Sequence, residues 1–247
     1  MTRAPDASPP LRFTVATWNI HRLMPGAKAT RDRLLALDAD FIALQETTPA
    51  WEAFLRPAVD ERFAHVEFRH WVRAGGLAIL ARRPFETIAY IESAAGKYPA
   101  WLVEARTPLG PVDVAVVHLH PPAGDDLDFS IWGWLTRGRD RALEMERLIE
   151  HRRPDRPTIV LGDFNETKRG RAMRRLVRAG FRNTADLDGH APSWRLHPRA
   201  PFVGARLDHL MFSPRLACAD SRVLDHAGSD HAPLHAAFTH ASPSPPT

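Results

Sequence analysis

Short buried strands that each end in a polar side chain are the feature that most constrains the fold of this chain. The apolar segments TVATW, FIALQ, VDVAVV and TIVLG are each followed directly by an amide, carboxyl or imidazole residue. Apolar runs of this length are typical of buried strands, and a polar residue at the end of such a run lies at the rim of the core. The candidate rim residues are Asn19, Glu46, His118, Asp163, Asn165, Asp208, Asp230 and His231.

Helical segments alternate with the strands in the first half of the chain. Residues 28–38 and 49–60 are predicted to be helices, and Pro49 opens the second. Short strands punctuated by Gly, Pro and Lys follow, as in antiparallel meanders, and residues 139–153 and 169–181 predict two further helices. No segment has the composition of an interdomain linker. The sequence therefore predicts one α/β domain over residues 11–240, with disordered Pro- and Ser-rich tails at 1–10 and 241–247.

Composition limits the chemistry that the chain can perform. The single cysteine, Cys218, excludes an internal disulfide and a Cys-rich zinc cluster, so a bound metal needs oxygen and nitrogen ligands. The formal net charge is +4, which favours anionic partners such as nucleic acid, phosphate esters or acidic lipid. The chain has no signal-peptide core and no apolar run of the roughly 18 residues that span a membrane. We therefore expect a soluble cytoplasmic protein with no obligate protein partner.

The rim residues form a chemically coherent set. The carboxylates of Glu46, Asp163, Asp208 and Asp230 are hard oxygen ligands and acid–base groups. Together with asparagine amides they suit Mg²⁺ or Mn²⁺ better than zinc. A cation clustered with carboxylates stabilises charge on a phosphoryl group and activates water, and histidine is the natural proton carrier near neutral pH.

Each motif taken singly also has a structural interpretation. GDFN is compatible with a strand-to-turn junction, and Asp230 with a helix-cap-like loop. Glu46 is compatible with a solvated strand end, and Asn19 with an Asx-turn. The functional interpretation depends on all the motifs occurring together, in one order, at strand ends.

The chain resembles the endonuclease/exonuclease/phosphatase family, which includes pancreatic-type deoxyribonuclease and the exonuclease-III-like repair nucleases. The matching segments are TWNIH, LQE, GLAIL, VVHLHPP, GDFN, RLDHLMFS and SDHAPL, spread over residues 13 to 238. The resemblance implies a four-layer α/β sandwich, with two packed mixed β-sheets flanked by helices. It also implies hydrolysis of phosphoester bonds.

The resemblance further implies residues that bind the metal and the water. Asn19 and Glu46 would hold the divalent metal, and Asp230 would assist them. Asp163 would activate or orient the attacking water, or protonate the leaving group.

The remaining matches imply contacts with the phosphate. Asn165 would contact the phosphate, and His231, oriented by Asp208, would contact it or act as general base. In VVHLHPP the family pattern selects His118, with His120 as the alternative, as a phosphate contact or general acid.

Three departures weaken the match to repair nucleases. Several nucleases of the family carry an arginine on the strand before this histidine, where GKYPAWLVEA offers only Lys97. Thr48 stands where the repair branch usually has lysine after its QET, and TWNIH is more similar to the phosphodiesterase and lipid-phosphatase branches. Abasic-site repair is therefore a poor match.

The sequence leaves the substrate open. Residues 123–140 and 190–206 interleave aromatic residues, among them Trp132, Trp134 and Trp194, with arginines that could stack bases and hold phosphates; core tryptophans with solvated arginines are the structural alternative. The basic helix at 168–178 could contact a phosphate backbone or form a solvated face. Three functions remain: a phosphodiesterase, with nucleases for DNA or RNA among the candidates; a phosphatase or phosphodiesterase for small or lipid-headgroup phosphoesters; and an inactive binding module.

Overall fold

A computed structural model describes residues 11–71, 75–93, 99–121, 137–196 and 203–242. Some features singled out in the sequence lie outside the described residues. They are the tails at 1–10 and 243–247, Lys97, and the segments 122–136 and 197–202, which include Trp132 and Trp134.

The first six-stranded sheet is mixed and contains the two ends of the fold. Its strands are β1 (Phe13–Asn19), β2 (Phe41–Thr47), β3 (His65–Arg69), β4 (Gly76–Ala81), β13 (Leu216–Val223) and β14 (Leu234–His240). They are ordered β13-β14-β1-β2-β4-β3. β1 and β2 are parallel, and every other neighbouring pair is antiparallel.

The second six-stranded sheet is built from the middle of the chain. Its strands are β5 (Phe85–Ile91), β6 (Ala100–Thr107), β7 (Gly110–His118), β8 (Thr158–Asp163), β9 (Arg182–Asn183) and β12 (Asp208–Phe212). They are ordered β5-β6-β7-β8-β12-β9, with only β7 and β8 parallel. Between β9 and β12, strands β10 (Trp194–Arg195) and β11 (Gly204–Ala205) form a small ribbon of their own.

Helices cover the outer faces of both sheets. Helices α1 (Lys28–Ala36) and α2 (Pro49–Val59) share an apolar core with the first sheet. Helices α3 (Gly138–Glu150) and α4 (Arg171–Arg178) share another with the second sheet, and a third core lies between the sheets. The result is the predicted four-layer sandwich, which is thereby confirmed. No helix in the described part of the chain is long and apolar enough to cross a membrane.

The strands are continuously apolar because both of their faces are buried. On β1, Val15 packs into the core between the sheets, whereas Ala16 and Trp18 pack towards the helices. On β8, Leu161 points between the sheets and Val160 points towards α3 and α4. This two-residue alternation explains why apolar runs, rather than alternating polar patterns, mark the strands.

Both basic helices are shorter than the sequence predicts. The helix expected over 139–153 ends at Glu150, and residues 151–153 form a turn and irregular chain before Pro154. The helix expected from residue 169 begins at Arg171, because the Gly170 N–H bonds the Thr167 carbonyl in a turn and Gly170 has extended backbone angles.

The parallel pairs bring the polar strand ends to one edge of the sandwich. Asn19 on β1 lies beside Gln45 on β2, and His118 on β7 lies beside Asp163 on β8. β12 runs the opposite way and begins beside Asp163 with Asp208. Since β1 and β2 also pack against β8 across the core, the edges of both sheets meet at the same rim.

Candidate active site

A buried amide holds the two central carboxylates together. Nδ2 of Asn19 donates one hydrogen bond to Oε1 of Glu46 and another to Oδ2 of Asp163, both at 3.0 Å. Its Oδ1 accepts the N–H of His21 at 3.1 Å. Because Asn19 and Asp163 are both almost fully buried, this amide fixes the separation of the carboxylates.

A β-bulge turns Glu46 into the site. The register between β2 and β4 shifts between Gln45 and Thr47, and Glu46 has a φ of +61°, in the left-handed region. The opposing loop leaves room for this backbone only because it carries Gly75, whose added Cβ would lie 2.6 Å from Cα of Glu46. The bulge therefore points the Glu46 carboxylate towards the rim, whereas a regular strand would point it in another direction.

The carboxylate of Glu46 is ionised and reachable from solvent. Burial would raise its pKa, but the nearby His118 ring, the Arg22 N–H at 2.9 Å and the Asn19 amide together lower the pKa below its ordinary value. About one fifth of the Glu46 side chain is exposed, compared with 2% for Asp163. Glu46 is thus the site carboxylate best placed to meet a cation from solution.

His118, and not His120, faces the carboxylates. Nε2 of His118 lies 3.8 Å from Oδ2 of Asp163 and 4.0 Å from Oε1 of Glu46. Nδ1 of His120 instead lies 3.1 Å from the Pro121 carbonyl. The period-two alternation of β7 ends at His118, so the chain beyond it turns His120 into a different environment.

His231 is held between two carboxylates. Its Nδ1 lies 2.8 Å from Oδ2 of Asp208, and its Nε2 lies 3.8 Å from Oδ2 of Asp163. Burial would lower the pKa of His231, but the charges of Asp208 and Asp163 outweigh it and raise the pKa to about 10. With Nδ1 bonded to Asp208, Nε2 is the nitrogen that faces the centre of the site.

Asp163 is a fully buried carboxyl with a raised pKa. Burial raises its pKa to about 6, although the charges of His231 and His118 oppose the shift. Because Asp163 and His231 are buried beside each other, their protons are shared as a pair. A carboxyl that titrates close to neutral pH is suited to exchange a proton with water or a leaving group.

Asn165 fixes the orientation of Asp163. The Asn165 N–H donates to Oδ1 of Asp163 at 2.8 Å, and its Nδ2 donates to the Leu119 carbonyl at 2.9 Å. Asn165 has a φ of +49°, which asparagine adopts more readily than most residues. It therefore ties the loop after β8 to the loop after β7.

Asp230 is connected to the other carboxylates only indirectly, through Ser229. Its Oδ2 accepts the indole N–H of Trp194 at 3.0 Å, and its Oδ1 lies 3.5 Å from the Ser229 hydroxyl. That hydroxyl donates to the main-chain carbonyl of Asn19 at 2.7 Å. Asp230 is thus connected to the site through Ser229, and its side chain is half-buried.

Two side chains that support His231 were not singled out in the sequence. The Ser193 hydroxyl donates to Oδ2 of Asp208 at 2.7 Å, and the indole N–H of Trp18 donates to the His231 carbonyl at 3.0 Å. Trp18 directly precedes Asn19, but nothing in its sequence context distinguishes it from an ordinary core tryptophan. No sequence pattern marks Ser193, since its role depends on a strand pairing that brings it to Asp208.

A buried ion pair links the loops that carry the site. Nε of Arg141, on α3, donates to Oε1 of Glu166 at 2.9 Å, and its Nη1 donates to the His120 carbonyl at 3.0 Å. Oε2 of Glu166 accepts the N–H of Ala172 in the first turn of α4. Both charged side chains are 3% exposed. The pair therefore connects α3, α4 and the loop after β7.

Removing one member of this pair should destabilise the protein strongly. We expect Glu166→Ala to lower the free energy of unfolding by about 3–5 kcal/mol, because the change breaks a buried ion pair by removing only one of its two charges. Arg175→Ala is the matched control, since Arg175 pairs with Glu146 at the surface and such pairs contribute roughly 1 kcal/mol or less. Urea unfolding followed by circular dichroism measures both. A Glu166→Ala loss no larger than that of the control would contradict this assignment.

The donor set fits a hard divalent cation. Glu46 offers an ionised, partly exposed carboxylate. Asn19 turns its Nδ2 towards Glu46, and the Asp230 carboxylate is connected to Asn19 through Ser229. Atoms of Asp163, Asp208 and His231 also lie within 4.8 Å of one another, as ligands of one metal would. Their closeness already has an explanation, because Asp208 and His231 are bonded to each other. Carboxylate and amide oxygens favour Mg²⁺ or Mn²⁺ over zinc.

Comparison with known proteins agrees with this geometry. The sequence model of the Endonuclease/Exonuclease/phosphatase family matches residues 16–231. The chain belongs to this family. The family match includes all eight rim residues singled out in the sequence, from Asn19 to His231. No curated protein matches the chain significantly by sequence.

Solved structures of family members share the fold at low sequence identity. The endonuclease/exonuclease/phosphatase from Beutenbergia cavernae DSM 12333 superposes with a TM-score of 0.73 and 17% identity, covering 94% of this chain and 72% of its own. TDP2 of D. rerio, complexed with a single-strand DNA product, has a TM-score of 0.68 and 17% identity, covering 92% and 99%. ANGEL2, a 2',3'-cyclic phosphatase in complex with adenosine-2',3'-vanadate, has a TM-score of 0.67 and 15% identity, covering 94% and 96%.

Proposed function

We propose that this protein is a divalent-metal-dependent phosphodiesterase in which Asp163 and His231 move the protons of hydrolysis. The observation that carries the proposal is the geometry of His231. One ring nitrogen is bonded to the buried Asp208, and the other faces Asp163 at 3.8 Å. A binding surface does not need two buried carboxylates around a buried imidazole, whereas acid–base chemistry on a phosphoester does.

Three residues are proposed to hold the metal. Glu46 is the principal ligand, Asn19 fixes the orientation of Glu46 through its amide, and Asp230 assists from the outer side of the rim. A divalent cation bound there supplies positive charge to the phosphoryl oxygens as negative charge develops on them. The lowered pKa of Glu46 supports this assignment, because the carboxylate is ionised without assistance from the metal.

The residues that surround the phosphate are proposed to have separate roles. Asp163 orients the attacking water or protonates the leaving group, and the Asn165 N–H holds it in position. His231, bonded to Asp208, presents Nε2 to the phosphate. Its pKa of about 10 keeps the ring protonated near neutral pH, which favours the phosphate contact over the general-base role. His118 presents Nε2 beside the same carboxylates and contacts the phosphate or acts as general acid.

Turnover assays test the proposed function directly. We expect hydrolysis of bis(p-nitrophenyl) phosphate with Mg²⁺ or Mn²⁺, and loss of hydrolysis with EDTA. Plasmid DNA and p-nitrophenyl phosphate, assayed in parallel, separate nucleases from enzymes that take small diesters or monoesters. Metal-independent turnover, or no turnover of any phosphoester with either metal, would contradict the proposal.

Glu46→Gln should raise the metal concentration that the enzyme needs, with less effect on the fold. We expect the metal concentration for half-maximal activity to rise about tenfold or more, because the amide oxygen replaces a charged ligand. The exposed Glu61→Gln is the matched control and should leave the metal requirement unchanged. An unchanged requirement in Glu46→Gln would exclude Glu46 as a ligand.

A further inference from the structure

A groove lined by arginines runs between α3 and α4, on the face of the sandwich beside the rim. It encloses a volume of about 410 Å³. α4 buries Ala172, Met173 and Leu176 against the second sheet, and its polar face points outward into the groove. The arginine groove is defined here by Arg139, Arg171, Arg174, Arg175 and Arg178, all of them exposed.

The arginine groove carries a local excess of positive charge. Among the residues that the structure describes, Glu146 is the only acidic side chain lining it, and Glu146 is paired with Arg175 at 2.7 Å. The excess of four positive charges in the groove equals the formal net charge of the whole chain, +4. This local excess of positive charge makes the groove a site of attraction for anions.

The arginine groove extends to the loop after β8, which carries Asn165. A second cavity of about 180 Å³ shares Arg171 and Arg174 with it and is also lined by Thr167. Thr167 follows Asn165 by two residues on the loop after β8. A ligand that fills both cavities thus extends from the loop that carries Asn165 along the length of α4.

We propose that the arginine groove binds the phosphate backbone of a nucleic-acid strand whose scissile bond lies at the catalytic rim. The proposal rests on the proposed function for the position of that bond, but binding in the groove does not require hydrolysis. The planar fork of arginine matches phosphate oxygens. The eight residues of α4 span ~12 Å at ~1.5 Å per residue, so the helix is long enough to contact more than one phosphate of a strand.

Two other anionic ligands fit the groove less well. A single phosphate group cannot engage five arginines that are spread over both helices. A lipid surface is flat, whereas these arginines line the walls of a concave groove with the apolar Leu143 between them. A linear chain of phosphates matches both the length and the shape.

Binding of fluorescein-labelled oligothymidylate tests the arginine groove. The full chain is used in the Asp163→Asn background with EDTA, so that the probe is not cleaved. The test variant is Arg174→Glu/Arg178→Glu on the exposed face of α4. The control is Arg83→Glu/Arg215→Glu, which makes the same charge change at two exposed arginines outside the groove.

We expect the groove variant to bind at least about tenfold more weakly than the control variant. Its slope of log affinity against log salt should also be smaller by about one to two, as expected for two lost phosphate contacts. Equal losses in both variants, or no loss in either, would overturn the proposal. Groove-dependent binding of phosphatidylserine vesicles without binding of oligothymidylate would overturn it in favour of a membrane.

The outcome is independent of the test for catalysis. With Asp163 intact, Arg174→Glu/Arg178→Glu should hydrolyse bis(p-nitrophenyl) phosphate at the wild-type rate, because that substrate is too small to reach Arg178. Groove-dependent binding by a protein without phosphodiesterase activity would support the arginine groove and contradict the proposed function. Phosphodiesterase activity without groove-dependent binding would support the proposed function and contradict the arginine groove as a binding site.

Discussion

Asp163→Asn should lower kcat on bis(p-nitrophenyl) phosphate by about 10³-fold, within the range of general acid–base catalysis. Asp163 is the carboxyl that Asn19, Asn165, His118 and His231 all approach. Asparagine has nearly the same shape, but it cannot accept or release the proton. The loss should therefore fall on the chemical step and leave KM for the substrate nearly unchanged.

The fold of Asp163→Asn should remain intact. Burial already disfavours the charged form of Asp163, as its raised pKa shows, and the Asp208 carboxylate stays bonded to His231, so a neutral amide should cost little folding free energy. Thermal unfolding by circular dichroism checks this. Asp155→Asn makes the same change at an exposed position and should retain full activity. Wild-type kcat in Asp163→Asn would remove Asp163 from the reaction.

Asp208→Asn should lower kcat by about 10²-fold, through His231. The carboxylate of Asp208 bonds Nδ1 of His231 and accepts the Ser193 hydroxyl. An amide can keep one of these bonds but loses the charge that fixes the tautomer and stabilises the protonated ring. Losses of about 10–100-fold are typical when such a supporting carboxylate is removed.

The pH dependence distinguishes this role from a structural one. The charges of Asp208 and Asp163 raise the pKa of His231 to about 10, against the effect of burial. Without the Asp208 charge the ring releases its proton at lower pH. The limb of the kcat profile that reports His231 should therefore move to lower pH in Asp208→Asn. A reduced kcat with an unshifted profile would show that Asp208 supports the fold and not the ring.

The strands and their polar rim could be predicted because they depend on local pattern, whereas the four-layer sandwich was implied by the family resemblance. Apolar runs such as TIVLG mark strands that are buried on both faces, and the polar residue after each run marks the rim. The family pattern selected His118 over His120, and in the structure His118 is the residue at which β7 ends. The family resemblance added the pairing of Asp208 with His231.

The supporting contacts could not be predicted, because they join distant parts of the chain. Asn19 and Asp163 are separated by 144 positions, and only the packing of the sheets shows that one amide bonds two carboxylates. The left-handed backbone of Glu46 depends on a register shift with β4. The Arg141–Glu166 pair could not be predicted from the sequence either, since an arginine on a basic helix is normally solvated.

The most direct test of a single hydrolytic site is the turnover of the double variant Asp163→Asn/His231→Ala. Groups that act on one bond as a unit are not additive, so removing the second costs little once the first is gone. With Mg²⁺ and bis(p-nitrophenyl) phosphate, we expect each single variant to lose about 10²-fold or more in kcat. The folded double variant should be within about tenfold of the worse single variant. Wild-type turnover in both single variants, with the fold preserved, would contradict the account.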